Sequence, residues 1–313
     1  MMLAAVDLGS NSFRCEIVKT GLGKLYTCRY HKETVRLAAG MLPDGRLSEQ
    51  AIVKAEEALQ TFNKYLGTLP PEHVYAVGTQ AFRQAKNSEE VLRRCEKALG
   101  YPIELLSGHK EAELAYQGCA RALPYSEQPR LVVDIGGAST ELIIGRGYQT
   151  ERMESIPIGC VNTSLSFFQD GYLTEARFQE AIAYCEARLS PYAQAFHAPA
   201  FELAYGSAGT FGAILEVASA FQWNENEGVT LPMLEQMQRR LIELGHVNNI
   251  DFPCLKIDRR EVLAGGLATL IATYRSLGIV SMSSAIGALR LGLVFELIKK
   301  LMPGEDIQAS TYR

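Results

Sequence analysis

Two aspartates, Asp7 and Asp134, each end a short apolar run and open a turn of small residues. The segments Ala4-Ala-Val-Asp-Leu-Gly-Ser-Asn-Ser-Phe-Arg-Cys-Glu-Ile and Leu131-Val-Val-Asp-Ile-Gly-Gly-Ala-Ser-Thr-Glu-Leu-Ile-Ile resemble each other position for position. Each reads as a buried strand, an Asp, a Gly two residues on, a Ser five residues on (Ser12 and Ser139) and a second strand. Turns built from Gly and Ser let backbone N–H groups converge on an anion, because little side chain stands in the way. An Asp at the strand end supplies oxygen for a hydrated Mg2+ that neutralises phosphate charge. Two such turns facing each other across a cleft would hold successive phosphates of a polyanion. Either turn alone reads equally well as a hairpin with a capping Asp. Their repetition over both flanking strands favours the phosphate reading and a duplicated lobe.

A third small-residue turn, Gly206-Ser-Ala-Gly-Thr210, leads from an expected strand into a helix. Its N–H groups and the helix dipole suit an anion, although such turns often carry Gly and Ser for geometry alone. Ser107-Gly-His-Lys-Glu-Ala-Glu ends a strand and begins a helix, which places Glu111 in the first helical turn near the expected lobe boundary. A carboxylate there can act as general base on a water attacking a terminal phosphorus. Pattern alone favours a plainer description, in which Glu111 and Glu113 are first-turn acids stabilised by the dipole. His31, His73, His109, His197 and His246 show no metal-site spacing, and no P-loop, GxSxG elbow or HExxH pattern occurs.

The elements that must position these residues alternate in period. Leu3–Val6 predicts a buried strand, and Phe13, Cys15 and Ile17 alternating with Arg14 and Glu16 predict a second. A third covers Lys24–Tyr30. Ser48 opens a helix with Ile52, Ala55, Leu59, Phe62 and Leu66 on one face. His73–Gly78 and Ile103–Leu106 read as strands alternating with helices around Ser88–Leu99 and His109–Leu123, an α/β domain. Pro124–Pro129 marks the domain boundary. Beyond it come helices near Thr174–Leu189, Leu231–Leu244, Glu261–Arg275 and Ser283–Leu301, with a strand at Phe201–Tyr205. The expected lobes are residues 1–124 and 125–292, with a C-terminal helix at about 293–313 packing back on the first.

The 313-residue length suits two domains, and the 47% apolar and 21% charged shares are those of a globular chain. A net charge of −4 argues against a general nucleic-acid binder, so positive groups for a polyanion must be local. Arg14, Arg36, Arg83, Lys86, Arg290, Lys299 and Lys300 are available, although for any single one of them a solvated surface charge is the favoured reading. Seven scattered cysteines, never paired as CxxC, suit a reducing compartment rather than disulfides or zinc. The apolar run before Asp7 is short and lacks a basic n-region, so no signal peptide is expected, and Arg275 and Arg290 interrupt the apolar stretch near the C-terminus. A cytoplasmic protein with no membrane partner is expected.

At these residues the chain resembles the exopolyphosphatase and guanosine pentaphosphate phosphohydrolase (Ppx/GppA) family of the actin-like ATPase superfamily. Besides the two Asp turns, the matching segments are Val35-Arg-Leu-Ala-Ala-Gly, Val77-Gly-Thr-Gln-Ala-Phe-Arg-Gln-Ala-Lys-Asn, Ile103-Glu-Leu-Leu-Ser-Gly-His-Lys-Glu-Ala-Glu-Leu, Gly159-Cys-Val and Gly206-Ser-Ala-Gly-Thr. The resemblance implies two ribonuclease-H-like α/β lobes around an inter-lobe cleft. It also implies Mg2+-dependent (or other divalent-cation-dependent) release of terminal phosphate from inorganic polyphosphate or guanosine pentaphosphate. By resemblance, Glu111 occupies the catalytic-base position, and Asp134 and Glu141 assist the metal and the water. Asp7 matches the acid of the first phosphate turn and completes the implied metal set with Asp134 and Glu141. Arg83 matches a phosphate-binding arginine of the cleft, and Ser12, Gly136, Gly137, Ser139, Ser207 and Gly209 fall in phosphate-contacting turns. A homodimer follows by family analogy alone.

Two departures bear on activity. Ala138 replaces the usual third glycine of the second turn, where a methyl would crowd the phosphate if positive φ were needed. In Ala285-Ile-Gly-Ala-Leu-Arg-Leu-Gly292, the residues Ala285, Ile286 and Leu291 replace polar groups of the family pattern, while Arg290 is retained. Longer relatives continue into a helical domain resembling HD phosphohydrolases, and without it shorter polyphosphate is the expected substrate. The leading expectation is therefore an exopolyphosphatase, with guanosine pentaphosphate phosphohydrolase as the alternative. An actin-like kinase or ATPase would need an adenosine pocket and an Asp base, and a non-catalytic sensor would have lost turnover.

Overall fold

β1 (Met2–Leu8) alternates as a strand buried on both faces must, with Ala4, Val6 and Leu8 entering one apolar cluster and Leu3 and Ala5 another. This computed structural model describes residues 1–223, 228–305, 307 and 309. The chain divides into two units: Met1–Tyr125 together with the segment from Ile286 onward, and Ser126–Ala285.

In the first unit β1, β2 (Phe13–Gly21) and β3 (Lys24–Glu33) form an antiparallel meander. Helix α1 (Glu49–Leu66) starts where the Ser48 hydroxyl accepts from the Ala51 N–H, and its buried face is the expected one. The chain then adds β4 (Val74–Gly78) parallel to β1. After α2 (Gln80–Gln84) and α3 (Ser88–Leu99), β5 (Ile103–Leu105) pairs parallel with β4, and α4 (Gly108–Ala122) follows. The strand order is β3-β2-β1-β4-β5.

The second unit repeats this plan. β6 (Arg130–Ile135), β7 (Thr140–Arg146) and β8 (Gln149–Ile156) form the meander, and α5 (Cys160–Phe167) and α6 (Glu175–Phe196) follow. β9 (Leu203–Ser207) pairs parallel with β6. After α7 (Ala208–Ala220), β10 (Val229–Thr230), α8 (Leu231–Leu244) and α9 (Arg260–Leu277), strand β11 (Ser281–Ser284) pairs parallel with β9. The order β10-β11-β9-β6-β7-β8 is the first sheet's order with an added edge strand. Both sheets have the ribonuclease-H-like arrangement that the resemblance implies.

The helix expected over Ser283–Leu301 is corrected: its first residues belong to β11, and α10 spans only Ala288–Leu301. Gly287, at φ 97°, turns the chain between them, a conformation that glycine alone adopts without strain. Of the helix expected at about 293–313, residues 306, 308 and 310–313 lie outside the described residues. Helix α10 crosses α4 at glycines: a Cβ on Gly118 would strike the Ala288 carbonyl, and one on Gly292 the Leu114 carbonyl. That approach lets Leu289, Leu293, Val294 and Leu297 join Leu3, Ala5, Val18 and Val77 in one cluster. No described helix is long and apolar enough to cross a membrane.

Candidate active site

Asp7 lies near the end of β1, in register with Arg14, and the two side chains pair at 3.1 Å. The turn after it is held on both sides. Ser10 and Asn11 carbonyls accept the N–H groups of Ala38 and Arg36 at 2.9 and 2.8 Å, and the Ser10 hydroxyl accepts from the Ala81 N–H at 3.1 Å. Gly9 is close-packed, since a Cβ there would lie 2.9 Å from the Ser12 carbonyl. Ser12 is buried in this turn, and Asn11 Oδ1 is buried without a hydrogen-bond partner among the described residues. A buried acceptor left unmade costs about 1–3 kcal/mol, so its retention points to a ligand or water.

Helix α2 carries Arg83, whose Nη1 donates to Glu111 Oε2 and to the Leu106 carbonyl, both at 2.8 Å. Glu111 sits in the first turn of α4, which Ser107 caps by accepting from the Lys110 N–H. The structure thus links the Asp7 turn, α2, Arg83 and Glu111 by successive contacts within one unit.

In the second unit Asp134 and Glu141 are directly opposed across β6 and β7, so they share one face of the sheet. Glu141 Oε1 accepts from the Ser155 hydroxyl of β8 at 2.8 Å. The turn between them closes through the Gly136 N–H donating to the Ser139 carbonyl at 2.9 Å. Gly136 and Gly137 carbonyls accept the Cys160 and Val161 N–H groups at 3.0 and 2.8 Å, which fixes the turn on the start of α5. Ser139 is buried beside them. Ala138 does not have positive φ, so its methyl needs no strained backbone.

Ser207 ends β9 in register with Asp134, bringing the third turn beside the second. Ser207 Oγ and Thr210 Oγ1 are buried at the N-terminus of α7 without partners among the described residues. A Cβ on Gly209 would strike the Arg259 guanidinium, so glycine leaves the space that this side chain occupies. Arg259 is only 9% exposed and makes no side-chain ion pair or hydrogen bond among the described residues. Two orphaned hydroxyls, a helix N-terminus and a buried arginine form a cradle for an anion. Sequence reasoning missed Arg259, because a buried arginine just before a helix carries no motif signal. It also passed over Ser155, which is legible only once β8 is paired with β7.

Among the described residues, no group of three or more His, Cys, Asp or Glu is arranged to hold a metal. The opposed carboxylates of Asp134 and Glu141 still fit Mg2+, which takes one or two protein carboxylates and fills its shell with water and phosphate oxygens. One Asp7 oxygen is already engaged by Arg14. Of the altered C-terminal positions, Ala285 donates its N–H to the Gly206 carbonyl at 2.9 Å, Leu291 is fully buried and Ile286 is half exposed.

The model of the Ppx/GppA phosphatase family matches residues 16–301. A guanosine-5'-triphosphate,3'-diphosphate pyrophosphatase from Aeromonas hydrophila is 39% identical over 95% of this chain and 59% of its own length. One from Photobacterium profundum is 38% identical over 99% of this chain and 62% of its own. This chain therefore spans about three fifths of the length of these curated relatives. The solved structure of an Aquifex aeolicus Ppx/GppA family member has a TM-score of 0.77 at 27% identity, covering 96% of this chain and 99% of that one. An exopolyphosphatase from Cytophaga hutchinsonii has the same fold, with a TM-score of 0.86 at 21% identity over 96% of this chain and 98% of its own. With that match and both sheets in the expected order, the chain belongs to the Ppx/GppA phosphatase family.

Proposed function

We propose that the protein hydrolyses the terminal phosphoanhydride bond of a linear polyphosphate, releasing orthophosphate. The observation that carries this reading is Glu111, a part-buried carboxylate held by Arg83 and supported by the Asp7 turn through α2. Glu111 takes a proton from water as the water oxygen bonds to the terminal phosphorus in line. The bond from that phosphorus to the bridging oxygen breaks, and the shortened chain leaves with the electron pair. Gly137, Ser139, Ser207, Gly209 and Arg259 offer donors for phosphate oxygens in the second unit, and Ser12 does so in the first, while the Gly136 N–H is spent on closing its own turn. Asp134 and Glu141, opposed across β6 and β7 of the second unit, are the residues that would hold Mg2+. When bound, the ion would neutralise phosphate charge and lower the barrier to attack.

Guanosine pentaphosphate is the second reading, favoured by the names of the two relatives from Aeromonas and Photobacterium. The same hydrolytic groups serve both substrates. To test the proposal, phosphate release is measured with Mg2+ and either short polyphosphate, long polyphosphate or guanosine pentaphosphate. Release is expected with short polyphosphate, and Glu111→Gln should abolish it while the circular dichroism spectrum stays unchanged. Full activity in that variant would sink the base assignment. Release from the nucleotide alone would select the second reading, and release from no substrate would overturn hydrolysis.

A further inference from the structure

We propose that Gln80 is a positioning residue that sets which groups Arg83 serves, an inference that rests on the hydrolytic reading of Glu111. The Gln80 side-chain oxygen accepts from Arg83 Nε at 2.9 Å and from Nη2 at 2.5 Å. Two donors converging on one amide oxygen fix both the plane and the roll of the guanidinium. The remaining nitrogen, Nη1, is thereby directed at the Leu106 carbonyl and Glu111.

Gln80 can do this because its own backbone is held from two sides. It opens the five-residue helix α2 immediately after Thr79, whose hydroxyl lies 3.4 Å from the Leu8 carbonyl. The next residue, Ala81, donates its N–H to Ser10 in the first phosphate turn. Three residues on, Arg83 lies on the same face of that helix. The Asp7 turn, α2 and the candidate base therefore form one braced unit, and Gln80 is the brace that holds the arginine. Without it the arginine side chain regains rotamer freedom and turns toward any nearby anion, including a substrate phosphate. The resemblance implies a phosphate contact for Arg83; with Gln80 in place its role is to hold the base.

The variants that test this are Gln80→Met, which keeps length but removes the acceptor, and Gln80→Glu, which keeps it. Arg83→Met and the double variant Q80M/R83M complete the set. In Q80M, kcat for phosphate release should fall on the order of tenfold or more with KM nearly unchanged. Q80E should retain activity. The double variant should lose no more than R83M alone, since Gln80 acts through Arg83. Order is read separately, without turnover, from 15N relaxation of the Arg83 Nε–H group, which should become mobile in Q80M but not in Q80E. An Arg83 side chain as ordered in Q80M as in the wild type overturns the proposal, whatever the activity. So do losses in Q80M and R83M that multiply in the double variant. A wild type inactive on every substrate would instead count against hydrolysis, while the relaxation data would still decide the role of Gln80.

Discussion

Arg259 and the orphaned hydroxyls beside it set stability against binding at a single turn. An arginine only 9% exposed and unpaired among the described residues costs free energy in the ligand-free protein, and an incoming phosphate supplies the missing charge. Arg259→Met should therefore leave the urea midpoint unchanged or raised. Losing one charge-assisted contact of about 1.5–3 kcal/mol should raise KM for polyphosphate roughly ten- to hundredfold. A lowered midpoint with unchanged KM would mean that Arg259 is structural. Ser155→Ala removes the hydroxyl that orients Glu141, so it should cost on the order of tenfold in kcat with the fold retained. The Asp7 and Asp134 turns were legible in the sequence because a hairpin turn is local and its pattern occurs twice. The space that Gly209 leaves for Arg259 joins residues fifty positions apart, and no local pattern encodes it.

Helices α4 and α10 pack through glycine, and this contact shows why identical substitutions at different glycines should act with opposite sign. Gly118→Ala places a methyl against the Ala288 carbonyl of α10, so overpacking should destabilise by about 1–3 kcal/mol. Gly212 lies inside α7 with nothing near the position of an added Cβ. Gly212→Ala should stabilise by about 0.5–1 kcal/mol, because alanine loses less backbone entropy in a helix. Urea denaturation of both variants checks the pair, and equal shifts would refute the packing argument. Elements with a clear period were readable: α3 and α8 have the bounds that their apolar spacing predicts. β11 was not, because Ser281-Met-Ser-Ser offers little apolar pattern, and its strand character comes from pairing with β9. The apolar run of α10 then drew the expected helix too far toward the N-terminus.

At the scale of the whole chain, the first unit is completed by residues that follow the second in sequence. Leu289, Leu291, Leu293, Val294, Phe295, Leu297 and Ile298 are buried with Leu3, Ala5, Val18 and Val77 on one face of the first sheet. Burying such side chains stabilises by about 1.5–3 kcal/mol each. Their joint loss would thus match or exceed the roughly 5–15 kcal/mol net stability of a typical domain. The main cluster of the second unit draws on that unit's own residues, among them Phe178, Phe211, Leu234 and Leu270. A chain ending at Ala285 should therefore lose the first unit cooperatively while the second still unfolds as a separate transition. The single tryptophan reports on this without labelling, because Trp223 stacks on Phe221 beside Phe252 in the second unit. Its fluorescence should show a sigmoidal urea transition in the truncated chain. Amide exchange at β1 and β4 should meanwhile lose its protection, and phosphate release should vanish because Glu111 is no longer held. Protected amides in β1 of the truncated chain would show that the first sheet holds without α10, and the dependence on the returning segment would be wrong.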